Sequence, residues 1–215
     1  MPNAHAQPRI APLEPPYASP IAELLAKWMP PGGATEPLAL FRTLAVHPDL
    51  FSRMLPLGAG ILGHGTVAPK EREIIIHRTC ARAGAEYEWG VHAVAFGAAV
   101  GLSEEQLVAT AAGSPEDAVW SPSEALVVRL ADELYETDSI SDPLWAELSL
   151  HRGEPELLEL VIIAGWYRLI SYVINAARVA REPWSARFPS PQPASAATGL
   201  PGARETAKPI QSPDA

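Results

Sequence analysis

The sequence predicts an all-α protein, because helix-capping signals recur along the centre of the chain and no run of alternating β-branched residues lies between hairpin turns. A third observation sets the limits of this helical region. Nine of the 23 prolines lie in residues 1–37 and seven in residues 183–215. We therefore expect a helical domain over 38–182, preceded by a proline-rich segment and followed by a disordered Pro/Ala-rich tail.

Each predicted helix begins at a recognisable signal. In the segment 1–37, apolar side chains at helical spacing predict one short helix over 20–29, which docks on the domain. Pro69 opens a helix that ends near Ala83, and a second helix follows over 86–100. Caps and first-turn prolines predict further helices that start at Ser103, Ser121, Asp142 and Glu154.

The break between the helices 69–83 and 86–100 is short and contains Gly84. Two helices joined by so few residues form an antiparallel hairpin. Residues late in one helix then face residues early in the other. The sequence therefore predicts that side chains far apart along the chain meet within this hairpin.

Composition excludes several classes of function. The formal net charge is −9 and the chain has three lysines, so nucleic acid is not an expected partner. A single cysteine, Cys80, excludes an intramolecular disulfide, a Cys-x-x-Cys redox pair and a multi-thiolate zinc site within one chain. The N-terminus lacks a signal-peptide pattern, and the apolar stretch 157–179 is interrupted by charged residues. We expect a cytoplasmic protein without membrane contact.

A cluster of glutamate and histidine is the candidate catalytic site. Glu88 and His92 are four residues apart, so a carboxylate and an imidazole share one helix face. Glu73 and His77 have the same spacing on the preceding helix. Two carboxylates beside His92 would share a proton with it and raise its pKa, which suits a general acid or base. The alternative is a buried hydrogen-bond network that only fixes helix packing.

Arginines and aromatic residues near this cluster are candidates for substrate binding. A guanidinium offers paired donors to a substrate carboxylate. The candidate arginines are Arg78 and Arg82, with Arg72 and Arg168 as alternatives. The candidates for the wall of an apolar pocket are Tyr87, Trp89, Phe96, Trp166 and Tyr167.

The residues Glu-Arg-Glu-Ile at 71–74 and Glu-Tyr-Glu-Trp-Gly-Val-His at 86–92 resemble the carboxymuconolactone decarboxylase family, which includes the alkylhydroperoxidase D-like (AhpD-like) proteins. The resemblance covers about residues 38–182. It implies an AhpD-like helical bundle of about six to eight helices. Within the chain, Glu73 followed by Ile-Ile-Ile resembles Glu159 followed by Leu-Val-Ile-Ile, a weak internal repeat that would divide the bundle into two pseudo-repeated halves. The family resemblance also implies catalytic roles for Glu73 and His92.

The chain departs from the peroxidase members of that family. The two cysteines of their Cys-x-x-Cys-x-x-x-His motif fall on Ala85 and Glu88. Peroxide reduction needs a thiolate and a resolving thiol, so the resemblance favours the decarboxylase type: acid–base chemistry on a small carboxylated or lactone-type metabolite. Alternatives are a peroxiredoxin-like activity through Cys80 and a non-catalytic binding or scaffold protein.

Neither a cofactor nor a metal is predicted. A metal site built from Glu73, His77, Glu88 and His92 is the weaker alternative, because the Glu-x-x-His spacing of carboxylate-bridged bundles is absent. The helix that starts near Glu154 is apolar on almost every face, and one chain would not cover it. We therefore expect a homo-oligomer that acts on a small-molecule substrate.

Overall fold

The computed structural model describes residues 7–29 and 36–190. Within these residues the protein consists of nine α-helices and one π-helical turn, without a β-strand. The helices are α1 (Ser19–Ala26), α2 (Ala39–Leu44), α3 (Pro48–Gly63), α4 (Pro69–Arg82), α5 (Glu86–His92), α6 (Glu104–Ala112), α7 (Pro122–Thr137), α8 (Asp142–Ser149) and α9 (Glu154–Ala177), and the π-helical turn (Ala93–Gly97) follows α5. The all-α prediction is confirmed, with more helices than the six to eight expected.

Helix α4 is the centre of the bundle. It packs against α5, α6, α7 and α9. All eight residues from Glu73 to Cys80 are buried, so more than two turns of this helix have no solvent-facing side. Glu73 and His77 therefore lie in the core and must find their partners there.

The predicted helix starts are confirmed. Ser103 and Ser121 each form a capping box with the residue three positions later. Gly84 ends α4 with a φ of 65°, in the left-handed region that glycine adopts without strain. This turn reverses the chain, so α4 and α5 form the predicted hairpin.

The helices α2 and α3 were not predicted, because neither has a strong sequence signal. Helix α2 has only six residues and no side-chain cap. Helix α3 contains Pro56 and several glycines, which disfavour a helix on propensity alone. Packing of Phe51, Gly58 and Ile61 into the interior supports it instead. Helix α1 docks here as expected, with Leu24 and Leu25 beside Phe51.

The start of the C-terminal tail differs from the expectation of disorder. Phe188 packs on Trp89 with ring centroids 5.4 Å apart, and its backbone N–H donates to Glu86. The Ala186 N–H donates to the carbonyl of Gly90, where a Cβ would collide with the Ala186 backbone. Residues 183–190 therefore lie against α5. The rest of the predicted tail lies outside the described residues, as do 1–6 and 30–35 of the N-terminal segment.

Helix α9 is the long apolar helix that the sequence predicted. Its length and composition would suffice to cross a membrane, but in this fold it is a core helix packed on α4. Glu159 of α9, the proposed repeat of Glu73, accepts hydrogen bonds from the backbone of Thr66 and Val67 near the surface. The two glutamates therefore have different environments, and the structure gives them different roles.

Candidate active site

Three side chains form a buried Glu–His–Glu cluster at the α4–α5 hairpin. The Nδ1 atom of His92 lies 2.8 Å from Oε2 of Glu73. Its Nε2 atom lies 3.5 Å from Oε1 of Glu88. His92 is 4% exposed, Glu88 8% and Glu73 0%. The imidazole is thus held between two carboxylates, as the spacing of these residues predicted.

The local fold explains this arrangement. The antiparallel hairpin brings Glu73, early in α4, to His92 at the end of α5. One turn earlier in α5, Glu88 occupies the same face as His92. The chain then continues as the π-helical turn Ala93–Gly97, a form that is rare in proteins and frequent at functional sites. This turn contributes Ala95 and Phe96 to the cavity described below.

The two carboxylates control the protonation of His92. Burial alone lowers the pKa of His92, but the charges and hydrogen bonds of Glu73 and Glu88 outweigh it and raise the pKa to about 9. His92 is therefore an imidazolium at neutral pH. Its Nδ1–H donates to Glu73, and its Nε2–H is available on the side of Glu88.

His77 has a different role. Its Nδ1 lies 2.6 Å from the carbonyl oxygen of Glu73. Burial, together with the nearby charge of His92, lowers the pKa of His77 to about 4, so this ring is neutral and donates from Nδ1 to the carbonyl. No group of three or more metal-ligating side chains within 7–29 and 36–190 is arranged to hold a metal ion. His77 is a core histidine that supports the hairpin.

A cavity of about 700 Å³ opens beside the cluster. His92 and Glu88 lie on its wall, together with Phe96, Trp166 and Tyr167 from the predicted aromatic set. Its other lining residues are Lys27, Trp28, Met29, Leu38, Leu40, Phe41, Leu44, Leu55, Gly58, Ala59, Leu62, Gly63, Val91, Ala95, Ile170 and Trp184. The cluster is therefore accessible to a small molecule.

Much of this wall was missed by the sequence reasoning. Trp28 follows the end of α1, Phe41 and Leu44 belong to α2, and α3 adds further apolar residues. Trp184 comes from the segment expected to be disordered. These residues are aliphatic or aromatic and carry no motif. The apolar spacing of the predicted helix 20–29 was the one signal that placed Trp28 on an inward face.

The arginines proposed for substrate binding do not line this cavity. Arg78 forms a bidentate pair with Asp132 and also donates to the carbonyls of α6 and its C-terminus. Arg82 pairs with Glu136. Arg168 stacks over the ring of Tyr135 at 4.0 Å. These guanidinium groups already have partners in the fold, which is why they do not serve the site.

Arg72 also belongs to the fold rather than to the cavity wall. Its Nη1 donates to the carbonyl of Leu62 at 3.1 Å, and its Nε lies 3.9 Å from Oε1 of Glu73. It therefore contacts the cluster at Glu73 and does not line the cavity.

The sequence analysis also proposed Tyr87 and Trp89 for the wall of the substrate pocket. Neither side chain lines the cavity. The Tyr87 hydroxyl accepts from the N–H of Leu40 and donates to Glu182. The Trp89 Nε1–H donates to Thr110 at 2.9 Å. Both side chains are buried in the packing around α5, where these hydrogen bonds hold them.

Cys80 is a poor candidate for a reactive thiol. It is 0% exposed and is not part of the cavity wall. Burial raises the pKa of the Cys80 thiol well above its ordinary value, and the charge of Glu88 adds to the effect. Glu88, at the position that matches the second cysteine of the peroxidase motif, lies on the cavity instead.

The fold and the cluster together define a class: a helical protein with a histidine held between two carboxylates on the wall of an apolar cavity. Residues 48–133 match the family model of the carboxymuconolactone decarboxylase family, which supports the family that the sequence resemblance indicated.

A crystal structure from Agrobacterium tumefaciens, described as a protein of unknown function and a candidate antioxidant defence protein AhpD, shares the fold. Its TM-score is 0.59 at 16% identity, over 65% of this chain and 95% of that one. This likeness supports the AhpD-like helical bundle. No curated protein matches the chain.

Proposed function

We propose that the protein is an enzyme that performs acid–base chemistry on a small carbonyl compound of the lactone type. The observation that carries this proposal is the position of His92, hydrogen-bonded to Glu73 through Nδ1 and lying on the wall of an apolar cavity with Glu88 beside it. An acid and a base next to each other on a cavity wall are what proton transfer at a carbonyl compound requires.

The roles of the three residues follow from their protonation. His92 is an imidazolium at neutral pH and donates a hydrogen bond or a proton to a carbonyl oxygen. Glu88 lies close enough to accept a proton from the carbon next to that carbonyl. Glu73 contacts neither the cavity nor the substrate and acts as a positioning residue that fixes the imidazole orientation.

The experiment measures deuterium exchange at the carbon next to the carbonyl of γ-nonanolactone, followed by proton NMR in D₂O. We expect exchange with the wild type and a loss of about 10²–10⁴-fold in both His92→Asn and Glu88→Gln, the range associated with a general acid or base. His151→Ala is the matched control, because His151 is exposed and distant in sequence from the cluster. Equal rates in wild type and His92→Asn would refute the proposal.

The peroxiredoxin-like alternative is less well supported by the site. It requires a thiolate that meets the peroxide, and the thiol of Cys80 is buried, protonated and absent from the cavity wall. A scaffold protein is the alternative if the NMR experiment shows no exchange, because the same cluster would then serve only packing.

A further inference from the structure

We infer that the cavity takes a neutral, largely apolar carbonyl compound and rejects carboxylates. This inference rests on the proposed function and selects between the two substrate types that the family resemblance implied, carboxylated and lactone-type. The observations that carry it are the charge at the cluster, the absence of a guanidinium from the described cavity wall, and the character of that wall.

A carboxylate lies at the inner end of the cavity. Glu73 pairs with His92 at 2.8 Å and with Arg72 at 3.9 Å, away from the cavity wall, whereas Glu88 lies 3.5 Å from the Nε2 atom of His92. Glu88 lies on the wall itself, so an anionic ligand that reaches His92 must also approach this carboxylate. Like charges at close range in a site shielded from water repel each other strongly.

Among the described residues, no buried cationic side chain other than His92 lies on the cavity wall to offset this repulsion. Lys27 is the one charged donor on the wall besides His92, and its side chain is exposed to solvent. An exposed ammonium is screened by water and contributes little. Arg72 and Arg78, the nearest arginines in α4, are directed to protein partners. A carboxylate would therefore enter this cavity without the bidentate partner that such groups usually find.

The walls favour an apolar body for the ligand. Leucines from α2 and α3, aromatic rings from α9 and the side chain of Phe96 make up most of the surface. The ring centroids of Phe96 and Tyr167 lie 4.9 Å and 5.1 Å from that of His92, so the apolar wall reaches the imidazole itself. A volume of about 700 Å³ is within the range of small-molecule sites.

Burial of alkyl carbons against such a wall contributes roughly 25 cal/mol for each Å² removed from water. A ligand with one carbonyl group at His92 and an alkyl chain along the wall satisfies both the polar and the apolar parts of the site.

The choice of ligand also limits the reaction. Glu88 takes the proton from the carbon next to the carbonyl, so the C–H bond breaks and an O–H bond forms on the carboxylate. The electron pair moves to the carbonyl oxygen, which His92 stabilises by donating its Nε2–H. Return of the proton to the same or another carbon gives exchange or isomerisation. A neutral ligand has no carboxylate to lose, so this reaction releases no carbon dioxide.

The test compares two probes of the same length, nonan-2-one and octanoate, which differ by a methyl group in place of a carboxylate oxygen. Binding is measured at pH 7 by tryptophan fluorescence, since Trp28, Trp166 and Trp184 line the cavity. We expect nonan-2-one to bind at least about tenfold more tightly than octanoate, and the difference to narrow in Glu88→Gln. Equal affinity for the two probes, or tighter binding of octanoate, would overturn the inference.

Two variants show whether the probes bind in this cavity. Ala95→Trp adds bulk on the wall, and Gly63→Phe does so from α3, at a position where an added Cβ meets open space. Each should abolish nonan-2-one binding while thermal unfolding stays cooperative. Glu105→Gln is the control, because this exposed carboxylate lies on α6 away from the cavity. Binding that survives in both filled variants would place the ligand elsewhere and contradict the inference.

The same probe separates this inference from the proposed function. If nonan-2-one binds selectively but its α-protons exchange equally fast in wild type and His92→Asn, the proposed function fails and the ligand class stands. If exchange depends on His92 but octanoate binds as well as nonan-2-one, the ligand class fails and the acid–base function stands.

Discussion

His92 Nδ1 and Glu73 Oε2 lie 2.8 Å apart although 19 residues separate them along the chain. The contact crosses the α4–α5 hairpin and joins a fully buried carboxylate to a histidine on the cavity wall. A carboxylate in this position fixes the tautomer of the imidazole and raises its pKa. Protonation of His92 at neutral pH therefore depends on a residue that does not line the cavity.

Replacement of Glu73 by Gln should lower the pKa of His92, because the amide is isosteric but removes one of the two negative charges that hold the proton. An NMR titration of the imidazole resonances measures this pKa directly. We expect a decrease of at least about one unit from the value near 9. Glu105→Gln, an exposed carboxylate, is the matched control. An unchanged titration would show that Glu73 does not set the charge of His92.

Stability should depend on pH through the two histidines in opposite directions. The folded-state pKa of His92, about 9, is above the unfolded value near 6.5, so its stabilising contribution is complete below pH 6.5 and is lost as the pH rises to 9. The folded-state pKa of His77, about 4, is below the unfolded value, so stability falls as the pH drops from 6.5 to 4.

Thermal unfolding across the range measures both effects. In His92→Gln, stability should change less with pH above 6.5 than it does in the wild type. In His77→Phe, stability should change less with pH below 6.5. If both variants show the same dependence of stability on pH as the wild type, the assigned protonation states are wrong.

Cys80 should be unreactive in the folded protein. A thiolate is needed for attack on a disulfide reagent, and the buried thiol of Cys80 has a raised pKa. We expect Ellman's reagent to label Cys80 only after unfolding in denaturant. Cys80→Ser should likewise leave any consumption of organic hydroperoxide unchanged. Rapid labelling under native conditions would show that Cys80 is reactive in the folded protein and would support the thiol-based peroxidase alternative.

Arg78 should matter for stability rather than for ligand binding. Its guanidinium pairs with Asp132 at 2.7 Å, and its side chain is almost fully buried. Removal of one partner from a buried ion pair costs about 3–5 kcal/mol, because the other charge is left without compensation. We expect Arg78→Met to lower the free energy of unfolding by about this amount. Under conditions in which the variant is folded, its affinity for nonan-2-one should equal that of the wild type. A loss of affinity in the folded variant would show that Arg78 contributes to the binding site.

The outer face of α9 is the proposed contact between copies of this chain. Leu158, Ile162, Gly165, Leu169, Tyr172 and Ala176 are exposed, and steps of four and three residues alternate between them. This is the heptad spacing of a seam between two packed helices.

Light scattering should therefore give a mass larger than one chain for the wild type and a smaller mass for a double variant with glutamate at 158 and 169. Leu150→Glu, which alters an exposed leucine at the end of α8, is the control. A wild-type monomer would exclude the homo-oligomer.

The sequence was sufficient for the features that depend on local spacing. Caps and first-turn prolines located α4 and α6 to α9 within a few residues, because such signals act on backbone groups nearby. The hairpin followed from the single short break at Gly84, and the hairpin brought Glu73 to His92. The cluster could thus be predicted because it depends on one turn and two helical periods.

The tertiary structure decided what surrounds the cluster. Arg78 and Tyr87 are close to His92 along the chain, yet both are directed away from the cavity by partners on distant elements, Asp132 and Glu182. The wall of the cavity comes from the residues that follow α1, from α2, α3 and α9, and from the segment near Trp184. Aliphatic side chains become a binding surface only when separate helices pack around a common space, and no local pattern in the sequence encodes that packing.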